Sequence, residues 1–244
     1  MITSNVSPRL PRVLVAFLSS LLFTLSLSAQ VSLAGAYSED FNTATPAALP
    51  AGWLFAEAGT NANATLSSGT GSSNAGDTYL LGTGGEFAFG GLQSGSLIPT
   101  VGVAFTNNTG ATVTELQISY TGETWRVGAT NRSDRLDFQY SVDATSLTTG
   151  TWTDVNALDY ANPGQPATGS GSQQHAAAVA ATITGLSIPN GATFYLRWTD
   201  FNAAGADDAM GVDNFSLTPV GGGAVAPVVT DDPDSVIVAA GETA

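Results

Sequence analysis

A chain of 244 residues with 20 Asp and Glu, six Arg and no Lys carries a formal charge of −14. It has little with which to neutralise phosphates, which argues against nucleic-acid binding by this segment and makes divalent cations the more natural partners. The absence of cysteine excludes disulfides and thiolate metal sites, so the fold must hold by its core or by oxygen-ligated metal.

In chain order, the first element is a leader. Arg9 and Arg12 precede an apolar run over 13–27 and then small residues, with no acidic residue among them. This order predicts a secretory signal peptide over 1–36, cleaved after Ala29 or as late as Ala36, and a secreted or bacterial cell-surface location. The run is too short and too early to imply a transmembrane span in the mature segment. Removing it leaves four Arg against the 20 acidic residues, a formal charge of −16.

From 37 to 219, apolar alternation recurs in short runs broken by Gly, Asn or Pro, the pattern of an all-β domain. Strands are predicted near 37–41, 78–81, 101–105, 114–121, 135–142, 151–155, 182–186, 193–199 and 213–217. In the clearest, Leu116, Ile118 and Tyr120 point one way and Glu115, Gln117, Ser119 and Thr121 the other. The simplest closure is a two-sheet, jelly-roll-like sandwich with long Gly/Ser/Asn loops at 59–76 and 162–175. The alanine run 176–181 allows one helical turn but has no amphipathic pattern. Residues 220–227 read as a linker. The segment 228–244, ending Ala240-Gly241-Glu242-Thr243-Ala244, resembles the opening of bacterial immunoglobulin-like repeats and is read as the truncated start of such a domain.

Oxygen ligands are densest over 200–214, where Asp200, Asn202, Asp207, Asp208, Asp213 and Asn214 lie between two apolar runs. Such a set suits a hard cation such as calcium. Strand parity places Asp200 on the face of Phe194, Leu196 and Trp198, Asp213 on the face of Phe215 and Leu217, and Glu39 on that of Tyr37 and Phe41. A buried carboxylate must be neutralised, paired or metal-bound, and four arginines cannot easily serve all these positions. A solvated loop whose Asp, Asn and Gly serve turn geometry is the competing reading.

The endings Tyr37-Ser38-Glu39-Asp40-Phe41 and Gly211-Val212-Asp213-Asn214-Phe215-Ser216-Leu217 resemble the paired first and last strands of extracellular jelly-roll domains, including many carbohydrate-binding modules. That resemblance implies a structural calcium tying Glu39, with Asp40, to Asp213, with Asn214. A wider set is Leu49-Pro50-Ala51-Gly52-Trp53, Tyr120-Thr121-Gly122-Glu123-Thr124-Trp125-Arg126, Tyr140-Ser141-Val142-Asp143 and the 200–217 ending. It resembles a β-sandwich domain at the front of secreted bacterial proteins, some surface-anchored and others carrying a phosphoesterase or nuclease domain.

For a ligand, parity puts Glu123 and Trp125 on the wetter face, where Trp125 could stack a sugar ring beside Glu123 and Arg126. If Gly122 instead makes a bulge, Trp125 is core. Trp53 and Trp152 read as core. The sole histidine, His175, reads as a surface residue. No catalytic constellation is recognisable in this segment. The expected function is a calcium-stabilised, non-catalytic extracellular binding or adhesion module for cell-surface or matrix glycans. The alternative is an accessory front domain of a secreted phosphoesterase or nuclease whose chemistry lies beyond residue 244.

Overall fold

The computed structural model describes residues 30–221; residues 1–29 of the expected signal peptide, most of the linker and the immunoglobulin-like start lie outside the described residues. Among the described residues, fourteen strands form two seven-stranded sheets. The first sheet contains β1 (Val31–Leu33), β3 (Trp53–Ala58), β7 (Ile98–Asn107), β9 (Asp134–Ser141), β10 (Thr153–Asp154), β11 (Tyr160–Asn162) and β13 (Thr193–Asp200). Its order is β1-β7-β13-β9-β10, with β3 also on β7 and β11 also on β9. The second contains β2 (Tyr37–Glu39), β4 (Leu66–Gly69), β5 (Asp77–Thr83), β6 (Glu86–Leu92), β8 (Val113–Val127), β12 (Gly169–Ile183) and β14 (Ala209–Gly221). Its order is β12-β8-β14-β6-β5-β4, with β2 on β14. Pairing is antiparallel apart from β1–β7 and β4–β5. Among the described residues no helix is long and apolar enough to cross a membrane.

The inner faces meet in one apolar core. At its centre Trp53 and Trp198 stack with ring centroids 6.0 Å apart, and Phe215 meets Trp53 edge-on at 5.3 Å. Phe41, Phe89, Phe105, Phe138 and Phe194 fill the space around them, all fully buried. Alternation supplies these residues as read from sequence: in β8, Leu116, Ile118 and Tyr120 are buried while Gln117 and Ser119 are exposed.

Several elements differ from the sequence expectations. The sandwich begins at β1, ahead of the boundary drawn at 37, because Val31 and Leu33 turn inward from a strand parallel to β7. The alanine run is strand, not helix: β12 pairs with β8 residue for residue from His175 to Ile183. Alternate alanines pack on the core while the others face solvent, so small residues form a strand whose parity a uniform run conceals. Much of the expected loop 162–175 therefore belongs to β12, and part of 59–76 is β4. Trp152 is only half-buried, outside the core, on the outer face of the first sheet.

Candidate functional site

The carboxylates of 200–214 do not form one site; the structure divides them between two. Asp200 ends β13 pointing inward, as parity requires, and is 4% exposed. Its Oδ2 accepts the backbone N–H of Gln93, just past β6, at 3.0 Å, which ties the two sheets together at this end. The loop over 201–208 then turns back through Gly205, whose φ of 96° suits glycine. It brings Asp207 and Asp208 beside Asp200, and with them Asp134, the first residue of β9, which sequence reasoning did not single out. Asp134 lies 74 positions from Asp208, whose N–H it accepts at 2.8 Å, and that separation hid it.

Arg132 pairs with two of these carboxylates, reaching Asp134 at 2.8 Å and Asp208 at 3.3 Å. Asp208 also accepts the N–H of Gly128 at 2.8 Å and the side-chain amide of Asn162 at 2.7 Å. Asp207 accepts the N–H of Ala203 at 3.1 Å. Burial, then repulsion from Asp134, pushes Asp200 well above the usual carboxylate range. The same two causes raise Asp207 to about 6, and burial raises Asp208. Asn202 is exposed in the intervening loop.

Asp213 belongs elsewhere. Met210, Val212, Phe215 and Leu217 of β14 all face the core, so parity breaks between 212 and 215. The break is a bulge: Asp213 pairs with Thr121 and Ser216 with Ser119, and Asn214 takes a left-handed φ of 48°. Asp213 therefore lies on the outer face of the second sheet, a correction to the parity reading, beside Glu123 and Glu86. Burial and these like charges raise it to about 7. Asn214 donates its amide to Asp213 at 2.6 Å.

β2 and β14 do pair, but Glu39 stands opposite Phe215, on the inward side, and its carboxylate takes the Phe41 N–H at 2.9 Å and the Tyr37 hydroxyl. Glu39 and Asp213 thus face opposite sides of the sheet, whereas Glu39, Asp40 and Asn214 line one open hollow. Asp40 is exposed and accepts the N–H of Asn42 at 3.1 Å, a local turn. Only the Asp–Asn dipeptide, a pair tolerant of left-handed backbone, hinted at the bulge.

Glu123 and Trp125 do lie opposite the core, with no bulge at Gly122, yet neither is wet. Trp125 is 4% exposed, in a second small cluster with Tyr79, Leu81, Leu92 and Ala209. The backbone of Gly71 packs against it, and its indole N–H donates to Glu123 at 2.8 Å. It cannot stack a sugar ring, which corrects that expectation. Arg126 is half-buried at the rim of a 280 Å³ cavity that it lines with Gln93 and Asp207. His175 stacks on Tyr160 and hydrogen-bonds its hydroxyl at 3.0 Å.

The outer face of the first sheet carries a different arrangement. Across β13 and β9, Arg197 pairs with Gln139 and Thr199 with Asp137. Beyond them the Phe201 N–H donates to the Arg135 carbonyl at 3.0 Å. Thr100 of β7 adds a hydroxyl 3.2 Å from that of Thr199. At one end the Arg135 guanidinium lies 4.0 Å over the Phe201 ring, and at the other Arg197 lies 3.9 Å over Trp152. Phe201 is 40% exposed. The Trp152 end is held by the β9–β10 hairpin, where Asp143 accepts the Thr151 N–H at 2.7 Å and the Ser141 hydroxyl at 2.8 Å. These bonds are local to the hairpin and give it a structural role.

No family model matches this chain, and no curated protein matches it either. Among solved structures, it is similar to the K3 cleaved adhesin domain of Lys-gingipain from Porphyromonas gingivalis, with 12% identity and a TM-score of 0.45 over 76% of this chain and 99% of that one. It is similar to TmCBM61 in complex with β-1,4-galactotriose, with 10% identity and a TM-score of 0.37 over 74% of this chain and 94% of that one. A third likeness is to the enzymatically active domain of bacteriophage CBA120 tailspike protein 4, with 10% identity and a TM-score of 0.38. It covers 69% of this chain but spans only 19% of that one.

Proposed function

We propose that this domain is a non-catalytic, extracellular binding module that takes glycan chains along the outer face of the first sheet. The observation that supports this reading is the strip between the two arginine–aromatic stacks. Arg197 and Phe201 are four residues apart, about 13 Å along an extended chain, so ring faces bracket a row of amide, hydroxyl and carboxylate groups. Sugars present apolar ring faces and equatorial hydroxyls, and such a strip offers stacking surface and paired hydrogen-bond partners to both. Holding each ring against a guanidinium lowers the entropy lost on binding. The buried Trp125 offers neither.

The test is a glycan array followed by calorimetry on the best ligand. Trp152→Ala and Phe201→Ala are each expected to weaken binding at least tenfold, about 1.4 kcal/mol, with the melting temperature little changed for Phe201→Ala. A blank array, or binding untouched by both substitutions, overturns the reading.

A further inference from the structure

Asp134, Asp200, Asp207 and Asp208 gather with Arg132 at the end of the sandwich where β13 gives way to β14, and Arg126 lines the cavity beside them. Arg132 is engaged by Asp134 and Asp208, which leaves Asp200 without a direct counter-charge. Two buried oxygens here have no hydrogen-bond partner: Oδ1 of Asp200 and Oε1 of Gln93. Each belongs to a side chain 4% exposed, and the two residues are joined by the Gln93 N–H to Asp200 Oδ2 bond. Gln93 and Asp207 share the wall of the 280 Å³ cavity beside them, with Arg126 across it. Unpaired buried oxygens of an amide and a carboxylate are costly, and these two sit on residues bonded to each other, one of which lines a cavity with Asp207.

The geometry points to a calcium ion at this end, bound by Asp200 Oδ1, Gln93 Oε1 and the Asp207 carboxylate. All available donors are oxygens, the chain has no cysteine and its one histidine is bonded to Tyr160, which favours a hard cation over zinc or copper. Among the described residues, no three carboxylates converge as tightly as a bound ion requires. On this proposal the ion draws in the 201–208 loop, where Asn202, Ala204 and Gly205 are exposed and their backbone carbonyls, with water, complete the shell; the Ala206 carbonyl is already taken by Arg132. This site is distinct from the β2–β14 pair, whose Glu39 and Asp213 face opposite sides of their sheet, and it does not depend on glycan binding.

Wild-type protein is melted in calcium chloride and in chelator near neutral pH, with calcium titrated calorimetrically. A one-to-one stoichiometry is expected, and at a hundredfold excess over Kd a rise in melting temperature of about 5–10 °C. Asp200→Asn is expected to abolish both effects and to melt no lower than wild type in chelator, because it removes an uncompensated buried charge. Asp213→Asn is expected to keep both. Terbium emission excited through tryptophan, with Trp198 two residues before Asp200, and its displacement by calcium give a reading on wild type alone should a variant not fold. Superposable melts with no terbium signal overturn the proposal, as does loss of the calcium effect in Asp213→Asn but not in Asp200→Asn.

Discussion

Asp213 and Glu123 are buried beside the exposed Glu86, and burial is the main cause of the rise of Asp213 to about 7. A carboxyl raised in the folded state holds its proton to higher pH than the unfolded chain does. Its stabilising contribution is complete below the ordinary value of 3.8 and is lost as pH rises through about 7. Denaturant melts in chelator are therefore expected to show stability falling from about pH 4 to pH 7, by at most about 1.4 kcal/mol per unit for each proton involved. Asp213→Asn should flatten part of that fall; an unchanged profile would show that Asp213 ionises freely. Its neighbour Asn214 holds the bulge at φ 48°. Asn214→Gly should be nearly neutral, whereas Asn214→Val should cost about 1–2 kcal/mol by the same melts, since a branched side chain resists left-handed backbone. Asp200 was legible from alternation alone, because no irregularity separates it from Trp198. Asp213 was not, since one bulged residue reverses every inference of parity beyond it.

At the scale of elements, β8 shows what glycine contributes. Gly122 continues the core-facing parity of Tyr120 without a bulge, and a Cβ there would fall on the Tyr160 ring. The Tyr160 hydroxyl in turn bonds Thr124 at 2.8 Å and His175, joining β11, β8 and β12. Gly122→Ala should displace that ring and destabilise by about 1–3 kcal/mol, measured by chemical denaturation; a wild-type midpoint would mean that Tyr160 can move aside at no cost. Long amphipathic strands such as β8 and β9 were readable because their large apolar residues alternate. β12 was hidden, since alanine marks neither face, and β6 was hidden because Gly90 and Gly91 interrupt its pattern.

At the scale of the whole molecule, β1 ties the start of the described chain to β7 at the edge of the first sheet. Leu33 is 1% exposed in the main core, so its truncation to Ala should cost about 2–5 kcal/mol. A protein beginning at Gln30 is expected to be more stable than one beginning at Tyr37 by at least that margin, and comparing their denaturation midpoints tests it. Equal midpoints would show that β1 adds nothing. The sequence by itself determined the all-β class, most of the core and the excess of acidic over basic residues, because these follow from composition and from a period of two that any half-buried strand must obey. Tertiary structure alone decided which acidic residues meet: Asp134 joins Asp200 across the fold, Glu39 and Asp213 part at a bulge, and two aromatic rings far apart in sequence come to flank one strip. Those outcomes depend on strand pairing between distant segments, for which local periodicity carries no signal.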